Sequence, residues 1–171
     1  MDIDRRRHLA RSLGLVATVP LASWGLAGCS SRQSAPDVSY TLLDGRQAQL
    51  KGQQGKVMLV NFWATSCTTC VAEMPQIIST HEKFKSRGFD TLAVAMSYDP
   101  PAYVASFAES RKLPFGVAID NTGAVAQAFG EVRLTPTTFL IDKKGGIVKR
   151  YVGAPDFAAL HGLIEDLLKE A

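Results

Sequence analysis

The chain has 171 residues, 46% of them hydrophobic, with 19 Lys+Arg against 16 Asp+Glu and three cysteines. That apolar fraction and a formal net charge of +3 exclude an intrinsically disordered chain and suffice for one folded domain. Three cysteines in a chain this long exclude a disulfide-framework mini-protein, and the small basic excess gives no reason to expect nucleic-acid binding.

The amino-terminal segment differs from the rest. Arg5, Arg6, Arg7 and Arg11 precede an uncharged stretch from Leu13 to Gly28 that contains Pro20. The stretch is shorter than the roughly 20 apolar residues that span a bilayer. A basic start before a short apolar run is the pattern of an export signal. An uncleaved membrane anchor is the plainer alternative. The expected boundaries are 1–28 for a removed signal, 29–36 for a tether and 37–171 for the folded domain. Leu26-Ala27-Gly28-Cys29 resembles the lipobox of bacterial lipoproteins. That resemblance implies that Cys29 is acylated, becomes the first residue of the mature chain and anchors it to a membrane of the cell envelope on the periplasmic side. Arg6-Arg7-His8-Leu9 is similar to a twin-arginine export signal, although a merely basic segment explains it about as well. Ser30 to Pro36 reads as a flexible tether.

From Val38 onward the apolar rhythm alternates between strand and helix. Val38 to Leu43 and Gln47 to Leu50 flank Asp44-Gly45, which predicts a β-hairpin with a tight turn. Lys56 to Trp63 is a nearly continuous apolar run, the pattern of a strand buried on both faces. Cys70, Met74, Ile77, Ile78, His81 and Phe84 then recur at helical spacing, and Gly88 ends that helix. Phe89 to Met96 reads as a second buried strand. Asp99-Pro100-Pro101 opens a helix carrying Tyr103, Val104 and Phe107, which stops near Leu113-Pro114. Phe115 to Ile119 predicts a short strand and Ala124 to Phe129 a short helix. Thr137 to Asp142 and Ile147 to Val152 flank a turn at Lys143-Lys144-Gly145-Gly146, and Phe157, Leu160, Ile164 and Leu167 mark a last helix. The order predicts an α/β domain with a mixed sheet, an N-terminal β-hairpin and a small inserted strand-helix piece.

Cys67-Thr68-Thr69-Cys70 falls where the first buried strand gives way to the first helix. A helix N-terminus carries partial positive charge and unpaired N–H groups, which stabilise a thiolate at Cys67. A separation of three places both sulfurs on one side of the first turn, within reach of a disulfide. Cys67, at the tip, is the exposed nucleophile; Cys70, one turn in, is shielded and resolves the mixed disulfide. Half of a zinc site and a purely structural disulfide remain as alternatives. Zinc needs about four ligands and no second pair is evident, while so short a loop gains little entropy from closure.

Val60-Asn61-Phe62-Trp63-Ala64-Thr65-Ser66-Cys67-Thr68-Thr69-Cys70-Val71-Ala72-Glu73-Met74-Pro75 resembles the active-site segment of membrane-tethered thioredoxin-like proteins of the TlpA/ResA type. The resemblance continues at Thr135-Pro136-Thr137-Thr138-Phe139-Leu140-Ile141-Asp142 and spans roughly residues 37–170. It implies a thioredoxin-like fold with a cis-proline at Pro136 facing the dithiol and Thr135 presenting backbone groups to an incoming extended chain. It also implies an active-site role for Glu73. That residue lies three positions after Cys70 on the same helical face, where desolvation raises its pKa and lets it act as general base toward Cys70. A solvated helix glutamate is the plainer reading.

The chain also departs from that pattern. Ser66 stands where tryptophan is usual, and Thr68-Thr69 replace Gly-Pro or Glu-Pro. Ser66, Thr68 and Thr69 therefore belong with Thr135 among the candidate substrate-binding residues, and partner choice and redox potential shift with them. The resemblance implies an extracytoplasmic thiol–disulfide oxidoreductase without a bound cofactor. Its partners are disulfide-bearing proteins of cytochrome c maturation or copper-site assembly and a membrane thiol electron donor. Two other functions stay open. A thiol peroxidase requires a threonine three residues before its cysteine, where this chain has Ala64 and Cys67. A Cu(I)-binding chaperone lipoprotein uses a Cys-x-x-x-Cys pair and a distal histidine, and neither is evident here.

Overall fold

The computed structural model describes residues 32–170. Seven strands form, β1 (Ser39–Thr41), β2 (Gln47–Gln49), β3 (Val57–Trp63), β4 (Phe89–Ala95), β5 (Gly116–Ile119), β6 (Thr137–Ile141) and β7 (Ile147–Val152). Four α-helices accompany them, α1 (Thr68–Phe84), α2 (Pro101–Ser110), α3 (Ala124–Ala128) and α4 (Phe157–Lys169). The main sheet has the order β5-β4-β3-β6-β7, and β1 and β2 form a separate two-stranded sheet. β3 pairs in parallel with β4, and β4 with β5, whereas β6 is antiparallel to both β3 and β7. The carboxyl ends of β3 and β4 and the amino end of β6 therefore meet at one pole of the sheet.

β3 is central because every one of its seven side chains is apolar or buried. Its alternation divides the core. Val57, Leu59 and Trp63 pack with Cys70, Met74 and Ile77 of α1 and with Leu160 and Ile164 of α4. Met58, Val60 and Phe62 face the opposite layer, where the Phe129 and Phe139 rings meet tilted with centroids 4.8 Å apart under the hairpin and α3. The two-residue repeat within each set places Asn61 with Val57, Leu59 and Trp63 on the α1 side of the strand.

Three sequence expectations are adjusted. The hairpin strands are shorter than expected and Leu50 starts a 3-10 turn, because Leu42 leaves β1 to bridge Ala118 and Leu43 N–H donates to Val117 O. Tyr103 is exposed, so Val104, Phe107 and Ala108 carry the inward face of α2. Residues 32–36, read from composition as tether, lie against the β6–β7 turn. Ile147 N–H donates to Gln33 O at 2.7 Å, Ala35 N–H donates to Gly145 O at 2.8 Å, and Ser34 bridges Gly146.

Asp142 holds this corner. Its Oδ1 accepts from Lys144 N–H and Gly146 N–H at 2.9 and 2.8 Å, and its Oδ2 accepts from Arg32 Nη1 at 2.8 Å. A Cβ at position 146 would fall 2.8 Å from Asp142 Oδ2 and 3.0 Å from Arg32 Cβ, so only glycine fits the turn. Asp142→Ala strands two backbone donors and is expected to lower stability by about 2–3 kcal/mol. Arg32→Ala removes two ion pairs of a half-exposed side chain, to Asp142 and Glu170, and is expected to cost about 1 kcal/mol. Urea unfolding of the two variants against wild type checks this ranking.

Candidate functional site

β3 ends at Trp63, and Ala64 to Ser66 carry the chain over the pole to Cys67, the N-cap of α1. Cys67 and Cys70 are joined as a disulfide with a Cα–Cα distance of 5.2 Å. Cys67 N–H donates to Ala64 O at 3.1 Å, and Cys70 N–H donates to Cys67 Sγ at 3.1 Å. The first turn of the helix thus offers a backbone donor directly to the Cys67 sulfur, the contact that favours a thiolate there once the bond is reduced. Cys67 is half-buried and Cys70 fully buried, whereas Ser66, Thr68 and Thr69 are exposed around them. Trp63 is fully buried, with its ring 5.0 Å from that of Phe107.

The loop before Cys67 is tied down by a residue that sequence reading assigned to a helix start. Asp99 is buried, and its carboxylate accepts from Thr65 N–H at 2.6 Å and from Thr65 Oγ1 at 2.5 Å. α2 begins at Pro101 with Pro100 as its N-cap, a residue with no side-chain acceptor to cap it. The adjoining Tyr98 places its hydroxyl 3.3 Å from Thr135 Oγ1.

The Thr135–Pro136 peptide is cis. Thr137 and Thr138 pair in register with Phe62 and Asn61, which sets Pro136 beside the end of β3 where the cysteine loop departs. Pro136 is buried, its carbonyl accepts from Gly153 N–H at 2.8 Å, and Thr137 Oγ1 donates to Leu134 O at 2.7 Å across the bend.

Glu73 is buried, one turn beyond Cys70 on the same helix face. Asn61 Nδ2 donates to Glu73 Oε1 at 3.0 Å and to Thr138 Oγ1 at 2.9 Å. Glu73 Oε2 and Asn61 Oδ1 are buried without a partner. Burial pushes the carboxyl up to about 7, against the smaller opposing effect of the Asn61 hydrogen bond. Asn61 and Thr138 escaped sequence reading as site residues, although an amide inside the run Val57–Trp63 was a visible anomaly.

Cys29 lies outside the described residues. His81 Nδ1 lies 3.3 Å from Thr91 Oγ1 and His161 Nε2 lies 2.8 Å from Thr80 Oγ1. Among the described residues no group of three or more His, Cys, Asp or Glu side chains converges as a metal site would. No helix among them is long and apolar enough to cross a membrane.

A mixed five-stranded sheet with a Cys-x-x-Cys pair at the tip of its first long helix, and a cis-proline at the same pole, defines a thioredoxin-like protein. The pattern of the Redoxin family matches residues 30–164, and the chain belongs to that family. It is similar to the thiol-disulfide oxidoreductase ResA of Bacillus thuringiensis subsp. konkukian (strain 97-27), 36% identical over 121 residues covering 71% of this chain and 69% of the relative. ResA of Geobacillus thermodenitrificans (strain NG80-2) is 38% identical over 120 residues, covering 70% and 68%. Among solved structures, a thioredoxin candidate from Neisseria meningitidis superposes with a TM-score of 0.76 at 43% identity, covering 82% of this chain and 93% of that one. A thioredoxin-family thiol:disulfide interchange protein from Chlorobium tepidum TLS gives 0.73 at 26% identity, covering 80% and 97%. With its paired sulfurs, the chain is a thiol–disulfide oxidoreductase.

The raised Glu73 has a consequence for stability. Folded protein keeps a proton that the unfolded chain releases above 4.5, so this group's contribution is full below that value and is lost as pH rises through about 7. His81 and His161 are held below 6.5 by burial and act in the opposite direction. The informative quantity is therefore the difference between wild type and Glu73→Gln. That difference is expected to shift in the variant's favour between about pH 5 and pH 8, as read by urea titration of the oxidised proteins.

Proposed function

We propose that the protein is an extracytoplasmic reductant of protein disulfides, with Cys67 as nucleophile, Cys70 as resolving thiol and Glu73 as the base that serves it. The observation that carries this reading is the asymmetry of the pair, one sulfur half-exposed at the helix tip and the other buried one turn in, above a carboxyl raised to about 7.

In the reduced protein the Cys67 thiolate attacks one sulfur of a partner's disulfide. A mixed disulfide forms, and the partner's second sulfur leaves as a thiolate that takes up a proton. Glu73 then removes the proton of Cys70, and the resulting thiolate attacks Cys67 Sγ. The partner's first sulfur leaves as a thiol, and the protein is left with the Cys67–Cys70 disulfide. Two electrons have passed to the partner, and a membrane thiol donor returns them by the reverse exchange. A carboxyl that titrates near 7 is matched to this task, because it is partly ionised at neutral pH and still basic enough to accept a thiol proton. Pro136 offers no N–H beside the sulfurs, and Thr135 supplies backbone groups for an extended partner segment. Ser66, Thr68 and Thr69 form the exposed rim that the partner meets.

The same proposal gives the amino-terminal segment its role: residues 1–28 as an export signal, and Cys29 as a lipid-bearing residue that holds the domain to the periplasmic face of an envelope membrane. The resemblance of residues 60–75 to TlpA/ResA-type proteins supports partners of the cytochrome c maturation or copper-site assembly kind.

Substrate trapping tests the reading. Cys70→Ser is expected to accumulate mixed disulfides through Cys67 in whole cells, visible by mass spectrometry, and Cys67→Ser/Cys70→Ser to accumulate none. Absence of adducts, together with failure of the purified dithiol to reduce any disulfide, overturns it. Glu73→Gln is expected to slow exchange near pH 7 by about tenfold or more and to move the thiol titration of Cys70. A thiol titration unchanged from wild type would assign Glu73 to packing alone.

A further inference from the structure

Three segments end at the dithiol pole: the Cys67 loop, the Ser97–Asp99 turn after β4, and the Leu134–Pro136 bend before β6. Residues 64–72 contain no charged side chain, residues 96–108 only Asp99, and residues 134–141 none. Asp99 is buried on Thr65. The nearest charge along the cis-proline segment, Arg133, is paired with Glu131 at 2.7 Å. Large apolar side chains nonetheless stand in solvent here: Tyr103 on α2 is 66% exposed, Val152 opposite Thr137 is 57% exposed, and Tyr98 and Leu134 flank the cysteine loop and the cis-proline. Tyr98 is 57% exposed and Leu134 is 66% exposed.

Tyr98 is not placed there loosely. Its neighbour Asp99 grips Thr65, two residues before Cys67, through two short hydrogen bonds. Its own hydroxyl reaches Thr135 Oγ1 at 3.3 Å, long for a hydroxyl pair and easily given up. One turn of chain thus fixes an aromatic ring between the loop that carries the nucleophile and the bend that receives the partner's backbone. Position 66, directly before the nucleophile, is an exposed serine and offers no aromatic surface of its own.

From this geometry we infer that Tyr98, with Leu134 beside the cis-proline, is the specificity-determining wall of the partner site, and that it selects extended polypeptides with an aromatic or large aliphatic residue next to the reacting cysteine. The inference rests on the disulfide-reductase reading above and names the partner's chemistry. Its physical content is apolar contact without charge steering, since the pole offers a partner no unpaired exposed charge in these segments. The occupant's position follows from the chemistry, because a disulfide reacting at Cys67 must lay its flanking residues against the surfaces on either side.

Two peptide disulfides that differ only in phenylalanine or serine beside the cysteine provide the probe, with second-order reduction rates measured by stopped flow. Wild type is expected to reduce the phenylalanine peptide about three- to tenfold faster than the serine peptide, the span of one aromatic contact. Tyr98→Ala is expected to bring that ratio close to one, and Tyr98→Phe to keep it. The wild-type rate is expected to change less than about twofold as ionic strength rises from roughly 20 to 500 mM. A wild-type ratio of one, a ratio that survives Tyr98→Ala, or a rate that falls steeply with salt overturns the assignment of Tyr98 while leaving the reductase reading intact. Failure of wild type to reduce either peptide or any small disulfide overturns both.

Discussion

Both hydrogens of the Asn61 amide are committed, one to Glu73 on α1 and one to Thr138 on β6. This one side chain joins the strand that ends at the dithiol, the helix that carries it and the strand that opens with the cis-proline. The arrangement has a price in unmet hydrogen bonds, since Asn61 Oδ1 and Glu73 Oε2 remain buried without partners. A layer of apolar side chains would pack these three elements more stably. What the polar bridge adds is a carboxyl, pushed up to about 7 by burial, held in the core one helical turn beyond Cys70.

A second tie works on the outer side. The Asp99 carboxylate satisfies the backbone and side chain of Thr65, so the loop between β3 and α1 has its position set by the turn after β4. Parallel pairing of β3 with β4 makes that possible, because adjacent parallel strands deliver their following loops to the same pole. The inner bridge and the outer tie act on opposite flanks of one short loop, which gives the half-exposed Cys67 a rigid base.

Much of this architecture was legible before any coordinates. The run Val57–Trp63, fully buried in the fold, announced itself by composition, and the Cys-x-x-Cys pair by its position at a strand-to-helix junction. Pro136 was legible only through resemblance, since nothing local separates a cis-proline from one that merely opens a strand. Asp99-Pro100-Pro101 was read as opening a helix, and α2 does begin at Pro101; the bonds of Asp99 to Thr65, 34 positions earlier, were not legible because such a pairing depends on the sheet order. Residues 32–36 were misread because composition reports side chains, and what fixes this segment is largely backbone hydrogen bonding to the β6–β7 turn. Asn61 could have been flagged as a polar residue on the helix-facing side of a buried strand. Its double partnership with Glu73 and Thr138 required knowing that β6 lies next to β3.

Docking of residues 32–36 against the β6–β7 turn fixes where the polypeptide enters the domain. Ile141 pairs with Met58 near the start of β3, whereas the sulfurs follow its end, so entry and reaction occupy opposite ends of the sheet. A partner that closes over the cysteine rim therefore meets the pole of the sheet remote from residues 32–36.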